Sequence, residues 1–410
     1  MEKYRAVLYN ASLKYKRFSY IFMHFGFRYF SSEAVLPGHP DKIADRISDL
    51  VLDTYLQKDP SSRVAAETMV TPDRVIVAGE IYGPEITNAE LEEKIRLFLK
   101  SVGYEKHLLD WESLEIVNLL HEQSPEISAG LRRSAKLGAG DQGIMFGYAT
   151  DETPVGMPAP VYYVREIIRA IGENPLFGPD GKSQITVEYD FSGRPVGVTN
   201  VVASVQHPVG MSTQDVRNML LEKIISVLPK DWSFSADSVI INPAGAFTIG
   251  GPKGDCGLTG RKIVADTYGG VIPNGGGAFS GKDATKVDRS AAYLARYIAK
   301  NIVFSGVASK CVVQLCYAIG MDAPLNVQIS TPGTTACDEE IFSLIGDKID
   351  FSPLGISALL HLDRPIYLKT STMGHFGHSY SPMDMSFKWE DLDLVPAIQE
   401  RLKEVKERVS

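Results

Sequence analysis

The chain has 410 residues, of which 44% are hydrophobic and 22% charged, an ordinary globular composition with room for more than one buried core. Its formal net charge of −8 argues against general nucleic-acid binding, although a local basic pocket survives inside an acidic protein. No stretch reaches the roughly 18 apolar residues of a membrane span, and four cysteines without a C-x-x-C pair or a zinc-like grouping with histidine point to a reduced, cytoplasmic protein.

Residues 1–30 read as an atypical leader, with Lys3, Arg5, Lys14, Lys16, Arg17 and Arg28 against the single acid Glu2 and aromatics crowded between Phe18 and Phe30. Few serines and no clear amphipathic helix set it apart from a transit peptide, and His24 and Arg28 interrupt the apolar run that a signal peptide needs. The plainer reading is a non-native or over-long start, with Met23 as the alternative initiator. Gly38-His39-Pro40-Asp41-Lys42 then places a histidine, a carboxylate and an ammonium around a proline, directly before the helical pattern Ile43, Ile47, Leu50, Val51 and Leu52. Asp41 suits the acid-favouring start of a helix, and a proline-fixed His-x-Asp also suits a metal with an oxygen-rich ligand.

Arg63 to Glu67 and Arg74 to Ile81 read as strands. Glu67 and Glu80 lie within or at the ends of these runs, where a carboxylate is costly unless solvated, paired or on a metal. Residues 88–103 predict a helix with Leu91, Ile95, Phe98 and Leu99 inward. Glu122 to Gly130 has the breaker chemistry of a loop, a candidate lid. Gly138 to Gly143 surrounds Asp141 with small residues but lacks the preceding strand and the glycine spacing of a dinucleotide fingerprint. Pro179 to Ser183 predicts a turn carrying Asp180 and Lys182, followed by strands over 184–189 and 196–206, a helix over 213–228, and a strand from Asp237 to Asn242 that runs into Pro243-Ala244-Gly245-Ala246-Phe247.

Two glycine-rich basic loops follow. Gly250 to Lys262 closes on Arg261 and Lys262, and Gly275-Gly276-Gly277-Ala278-Phe279-Ser280-Gly281-Lys282 begins about a dozen residues later. The Ser280-x-x-Asp283 spacing predicts a capping box and a helix, with Ala284, Val287, Ala291, Leu294 and Ile298 as its apolar stripe and Lys282, Lys286 and Arg289 on the opposite face. Like charges four apart and cations at a helix start both weaken a helix. A solvated lysine face is the alternative, but two such loops favour a polyanion site. A P-loop is excluded because Asp283 stands where Ser or Thr is required and no hydrophobic strand immediately precedes the glycines. Strands over 310–319 and 325–330 and an amphipathic helix from Asp391, with Val395, Ile398, Leu402, Val405 and Val409 inward, complete the chain.

Taken together, Gly38 to Lys42, Gly138 to Gly143, Gly257 to Lys262, Asp266-Thr267-Tyr268-Gly269-Gly270 and Gly275 to Ser290 closely resemble methionine adenosyltransferase, the S-adenosylmethionine synthetase family, over roughly residues 31–390. The resemblance implies an α/β (α+β) fold of three similar sheet-and-helix domains with pseudo-threefold symmetry: N-terminal 31–130, central 131–247 and C-terminal 248–390, followed by a C-terminal helix over 391–410. It also implies a homodimer or a dimer of dimers with active sites between subunits, and the substrates ATP and L-methionine. In the implied reaction the methionine sulfur attacks C5′ of ATP, and the whole tripolyphosphate leaves and is then hydrolysed to phosphate and pyrophosphate. A thioether is already a nucleophile, so no Ser/His/Asp triad is needed, and none is evident. The task is to stabilise a highly charged leaving group.

By the same resemblance His39 lies beside the breaking C5′–O bond, while Lys182, Arg261, Lys262, Lys282 and Lys286 hold the phosphates. Asp41 and Asp288 bind two magnesium ions, and Glu67 a potassium ion. Phe247 stacks on adenine, with Ala278 nearby and Asp180 on the nucleotide. Glu80, Gln123, Asp255 and Lys286 position methionine, Gln123 to Arg133 forms the lid, and Asp141 supports the site. The chain departs from the family pattern at Leu36-Pro37 (usually Ser-Glu), Ala246 (usually Arg), His378 (usually Arg) and Ser381-Pro382-Met383-Asp384 (usually Phe-Pro-Trp-Glu). Those departures motivate a rival reading, a catalytically weakened homologue that binds nucleotide and acts as an interaction subunit.

Overall fold

Strands of alternating polar and apolar residues build three small sheets in a computed structural model that describes residues 28–123, 138–334 and 338–409. In chain order the principal elements are β1 (Tyr29–Val35), α1 (Pro40–Lys58), β2 (Arg63–Val70), β3 (Arg74–Tyr82), α2 (Asn88–Val102), β4 (Glu115–Glu122), β5 (Gly143–Thr150), α3 (Ala159–Gly172), β6 (Gly181–Tyr189) and β7 (Pro195–Val205). They continue with α4 (Thr213–Val227), β8 (Val239–Ile241), β9 (Gly257–Leu258), α5 (Val287–Phe304), β10 (Lys310–Tyr317), β11 (Asn326–Ser330) and α6 (Val395–Val409). The sheets run β4-β3-β2-β9, β1-β6-β7-β8 and β11-β10-β5. All pairs are antiparallel except β3 with β4 and β7 with β8.

Each sheet borrows a strand from a distant part of the chain: β9 joins β2, β1 joins β6, and β5 joins β10. The fold is therefore mixed α/β with three interleaved sheet-and-helix units. Helix α1 packs on β2, and α5 on β5 and β10; their apolar faces merge into one core containing Ile43, Ile47, Val64, Val77, Leu294 and Ile298. A second core lies where α3 and α4 cover the middle sheet, around Ile167, Ile185, Val201 and Leu220. Burying such side chains contributes roughly 1.5–3 kcal/mol each.

The strands over 63–82 and 181–205, the helices α2 and α4, and the strands β10 and β11 form near their expected bounds. Several elements were not expected. β4 replaces the first residue of the predicted loop with strand, and β5 follows directly on the Asp141 loop. α3 begins at a proline-rich corner, Pro158-Ala159-Pro160, which obscures the stripe Val164, Ile167, Ile168 and Ile171. β1 starts at Tyr29 and so takes in the last two residues of the basic leader, whose residues 1–27 lie outside the described ones.

The predicted helix from Ser280 is corrected. α5 starts at Val287 with Lys286 as its N-cap, and the buried Ser280 hydroxyl has no partner, so no capping box forms. Instead Gly281 to Asp283 lies against β2 as a short strap, with Ala66 N–H donating to Gly281 O at 3.0 Å and Asp283 N–H to Val64 O at 3.1 Å. Gly281 has φ +80°, and a Cβ there would sit 1.9 Å from Ala66 O. Asp283 accepts from Val64 N–H and Thr285 N–H, which turns the chain into α5. Nor does Arg289 share a ridge with the lysines. It is buried in a fork-to-fork pair with Asp49, at 2.7 and 3.0 Å, under the Tyr367 ring.

Candidate active site

α1 begins where Pro40 supplies a preset φ and His39 acts as N-cap, its Nδ1 accepting from Asp41 N–H at 3.2 Å. That acceptor role puts the ring proton on Nε2. Burial, then the neighbouring Lys262 ammonium, lowers the His39 pKa to about 4, so the ring is neutral at physiological pH. Asp41 is 1% exposed and accepts from Leu258 N–H at 3.1 Å. Its carboxylate also pairs with Lys262 and lies 3.5 Å from Arg261. β9 brings those two cations to the start of α1.

Lys182 and Asp255 act on the charge of His39 in opposite senses, the ammonium disfavouring and the carboxylate favouring its protonated ring. Lys182 leaves β6 beside Val35 of β1 and pairs with Glu33 at 2.6 Å. Asp180 is buried, accepts from Gly251 N–H at 2.8 Å, and is pushed up to about 6 by burial. Beneath the cluster Lys42 donates to Asp45 (3.0 Å) and Asp266 (2.6 Å), while Asp45 accepts from Gly260 N–H at 2.9 Å, strapping the Arg261 loop to α1. Phe247 is half-buried at the end of the turn after β8.

A second cluster surrounds the start of α5. Lys282 pairs with Asp288 at 2.5 Å, and Lys286 pairs with Asp283. A Cβ at Gly277 would lie 2.5 Å from the Asp288 carboxylate, so the third glycine of the run makes room for that acid. A pocket of about 310 Å³ opens beside Asp288, lined also by Ile144, Tyr268, Asn274 and Phe279. The exposed Asp141 accepts from the next amide, Gln142 N–H, and its loop docks on this segment through Gly140 N–H to Thr285 O at 3.0 Å. Lys282 bridges Ala65 of β2, which faces Glu80 of β3 in register. Paired residues point to one face, so Lys282, Glu80 and, one step along, Glu67 share the outer face of that sheet. Glu67 is exposed and Glu80 half-buried there.

The two clusters touch where Ala278 approaches Gly260, a Cβ there lying 2.7 Å from that of Ala278. No ion pair joins them among the described residues. Gln123 is buried at the end of β4, donating its N–H to Ile81 O at 2.9 Å; the rest of the expected lid, residues 124–133, lies outside the described residues.

Comparison with known proteins accounts for this arrangement. The family models for the N-terminal, central and C-terminal domains of S-adenosylmethionine synthetase match residues 27–125, 136–247 and 249–391. The chain belongs to the S-adenosylmethionine synthetase family. It is 50% identical to the S-adenosylmethionine synthase of Paramagnetospirillum magneticum over 90% of this chain and 97% of that protein, and 48% identical to S-adenosylmethionine synthase 2 of Rhodospirillum rubrum over the same shares. An unusual S-adenosylmethionine synthetase of known structure from Campylobacter jejuni superimposes with a TM-score of 0.82 at 34% identity, covering 91% of this chain and 99% of the other.

Seen within the synthetase family, the departures are local. Leu36 is 3% exposed and packs into the second core beside Gly181, an apolar contact in place of a polar pair. His378 is half-buried, stacked on Phe387 with ring centroids 4.0 Å apart and bonded to Gly374 O at 2.7 Å. Ala246 and Met383 are exposed. None of the cations expected to hold the phosphates, Lys182, Arg261, Lys262, Lys282 and Lys286, is replaced. Sequence reasoning missed Glu33 as the partner of Lys182, and the Lys42–Asp45–Asp266 strap. The i,i+3 spacing of Lys42 and Asp45 is a legible trace of the strap, whereas nothing local marks Asp266 as its third member.

Proposed function

We propose that this chain is a methionine adenosyltransferase that forms S-adenosylmethionine from ATP and L-methionine and hydrolyses the released tripolyphosphate to phosphate and pyrophosphate. The observation that carries the reading is the buried Asp41 carboxylate gathering Arg261 and Lys262 beside a neutral His39. Cations concentrated there are preorganised for the charge that develops on a departing polyphosphate. As sulfur attacks C5′, the electron pair of the C5′–O bond passes to the triphosphate. The His39 ring, kept neutral by burial and Lys262 and with its proton on Nε2, would donate to that oxygen. Lys182, Arg261, Lys262, Lys282 and Lys286 hold the phosphates, and Phe247, Asp180 and Ala278 take the nucleoside. Glu80, Gln123, Asp255 and Lys286 hold methionine, and Asp141 supports the site.

The family is metal-dependent, and the donor set here fits magnesium. Among the described residues no group of three or more His, Cys, Asp or Glu forms a complete metal cage. Magnesium commonly takes one or two protein carboxylates and completes its shell with water and phosphate oxygens, which suits Asp41 and Asp288 at the two cation clusters. Magnesium would supply further charge neutralisation of the polyphosphate. Potassium is assigned to Glu67, an exposed carboxylate on the same sheet face as Glu80 and Lys282.

The outer face of the first sheet also supports a homodimer or dimer of dimers. Leu119 is 55% exposed and Leu258 40%, with Ile76 and Met69 between them, an apolar patch rimmed by Glu67 and Glu80. Active sites completed across that face would bring the clusters of two copies together. Among the described residues no helix is long and apolar enough to cross a membrane, and the cytoplasmic assignment rests on the sparing use of cysteine.

The decisive assay is product formation from ATP and L-methionine with Mg²⁺ and K⁺, with methionine omitted as a control. Wild type should give methionine-dependent S-adenosylmethionine, and Lys282→Ala should lower kcat by about 10²–10³. ATP binding without product in the wild type would instead mark a nucleotide-binding interaction subunit.

A further inference from the structure

β7 ends at Val205 and is followed by Gln206 and His207; the parallel β8 ends at Ile241 and runs into the turn Asn242 to Phe247. Two side chains stitch these ends together. Asn242, in the left-handed region at φ 44°, accepts from Val205 N–H at 2.8 Å and donates to Val205 O at 3.1 Å. His207, 3% exposed, engages both backbone groups of Phe247: its own N–H donates to Phe247 O at 2.9 Å, and its Nε2 accepts from Phe247 N–H at 3.1 Å. The other ring nitrogen, Nδ1, lies 3.0 Å from Pro208 O.

A backbone N–H only donates and a carbonyl only accepts, so one ring state satisfies every contact: neutral imidazole with its proton on Nδ1. Pro243 to Ala246 are exposed, and Gly245 has φ +99°. Phe247 is thus tied at both backbone groups although it follows an exposed turn. The Ala246 side chain is a methyl group with no hydrogen-bonding or charged atom to offer a nucleotide.

We infer that His207 is a positioning residue for nucleotide recognition, holding the Phe247 backbone so that its ring stands ready for the purine face of a nucleoside triphosphate. The inference rests on the proposed adenine role of Phe247. With the ring fixed before binding, less ordering is left for the nucleotide to impose, so the effect falls on ATP affinity and not on the chemical step.

The test is steady-state kinetics on the full chain, varying ATP and methionine separately. His207→Phe keeps a ring without an acceptor, and His207→Asn is too short to reach Phe247 N–H; if one fails to fold, the other decides. His207→Gln places an amide oxygen near the position of Nε2, and Phe247→Ala removes the stacking ring. Each acceptor-removing variant should raise KM for ATP about tenfold, with KM for methionine and kcat changed less than about twofold. His207→Gln should recover most of the loss, and His207→Phe added to Phe247→Ala should have no further effect. If Phe247→Ala raises KM for ATP and the His207 variants do not, the positioning role falls and the adenine reading stands. If Phe247→Ala leaves KM for ATP unchanged, the adenine reading falls and the inference with it. A parallel loss in both KM values and kcat, with a lowered Tm that His207→Gln does not restore, would show a purely structural histidine and overturn the inference.

Discussion

A neutral histidine among cations is the residue-scale feature on which the proposed chemistry turns. His39 caps α1, and its pKa of about 4 follows from burial and from Lys262. NMR titration of the ring should therefore find no protonation between pH 5.5 and 7.5, and in Lys262→Met the pKa should rise, because a positive neighbour is removed and Asp41 is released to attract the proton. A wild-type His39 titrating near 6.5 would remove the electrostatic basis of its proposed donor role. The Gly-His-Pro-Asp-Lys order discloses much of this cluster, since histidine, carboxylate and helix start are neighbours in the chain. The cations of Lys262 and Arg261 arrive from more than two hundred residues away, through β9.

At the scale of the element, the strap from Gly281 to Asp283 decides where Lys282 stands. Gly281→Ala places a side chain in left-handed backbone and against Ala66 O, and should cost about 1–3 kcal/mol. Thermal melting should show the loss, together with a lower kcat as Lys282 shifts; a variant as stable and active as wild type would mean that the strap is not constrained as described. The Ser280-x-x-Asp283 pattern pointed to a helix start because capping boxes have that local form. Asp283 instead turns back to β2, where the remote Val64 N–H donates to its carboxylate, a partner that the local spacing does not show. The strands β2 and β3 were legible for the opposite reason: their two-residue period is imposed directly by one buried and one outer face.

Across the whole molecule, buried ion pairs tie α5 to the C-terminal segment. Glu390 accepts from Arg296 and Lys300 at 2.7–3.1 Å and from Gly377 N–H. Despite its burial, those two cations hold its pKa down at about 2, below the ordinary 4.5. A carboxyl depressed on folding contributes stability above its unfolded pKa and loses it as pH falls. The contribution, of order 3 kcal/mol, should disappear between about pH 4.5 and 2, and denaturant melts of Glu390→Gln should lack that acid-sensitive component. A wild-type and variant stability difference that stays constant from pH 6 to 3 would contradict it. Assembly gives the second test at this scale. Leu119→Arg in the exposed sheet face should reduce the mass seen by light scattering and lower activity with it, whereas an unchanged mass would place the subunit contact elsewhere. Composition and the strand and helix periods determined by themselves that this is a globular α/β protein, and the spaced glycine, lysine and aspartate motifs marked its resemblance to the S-adenosylmethionine synthetases and a candidate polyanion site, because each is a property of residues close in sequence. The tertiary structure alone decided which charges pair, as Arg289 with Asp49 and Arg296 with Glu390, and that each sheet takes a strand from a remote segment. Partners so far apart leave no local period or spacing; burial and hydrogen bonding select them only when the chain folds.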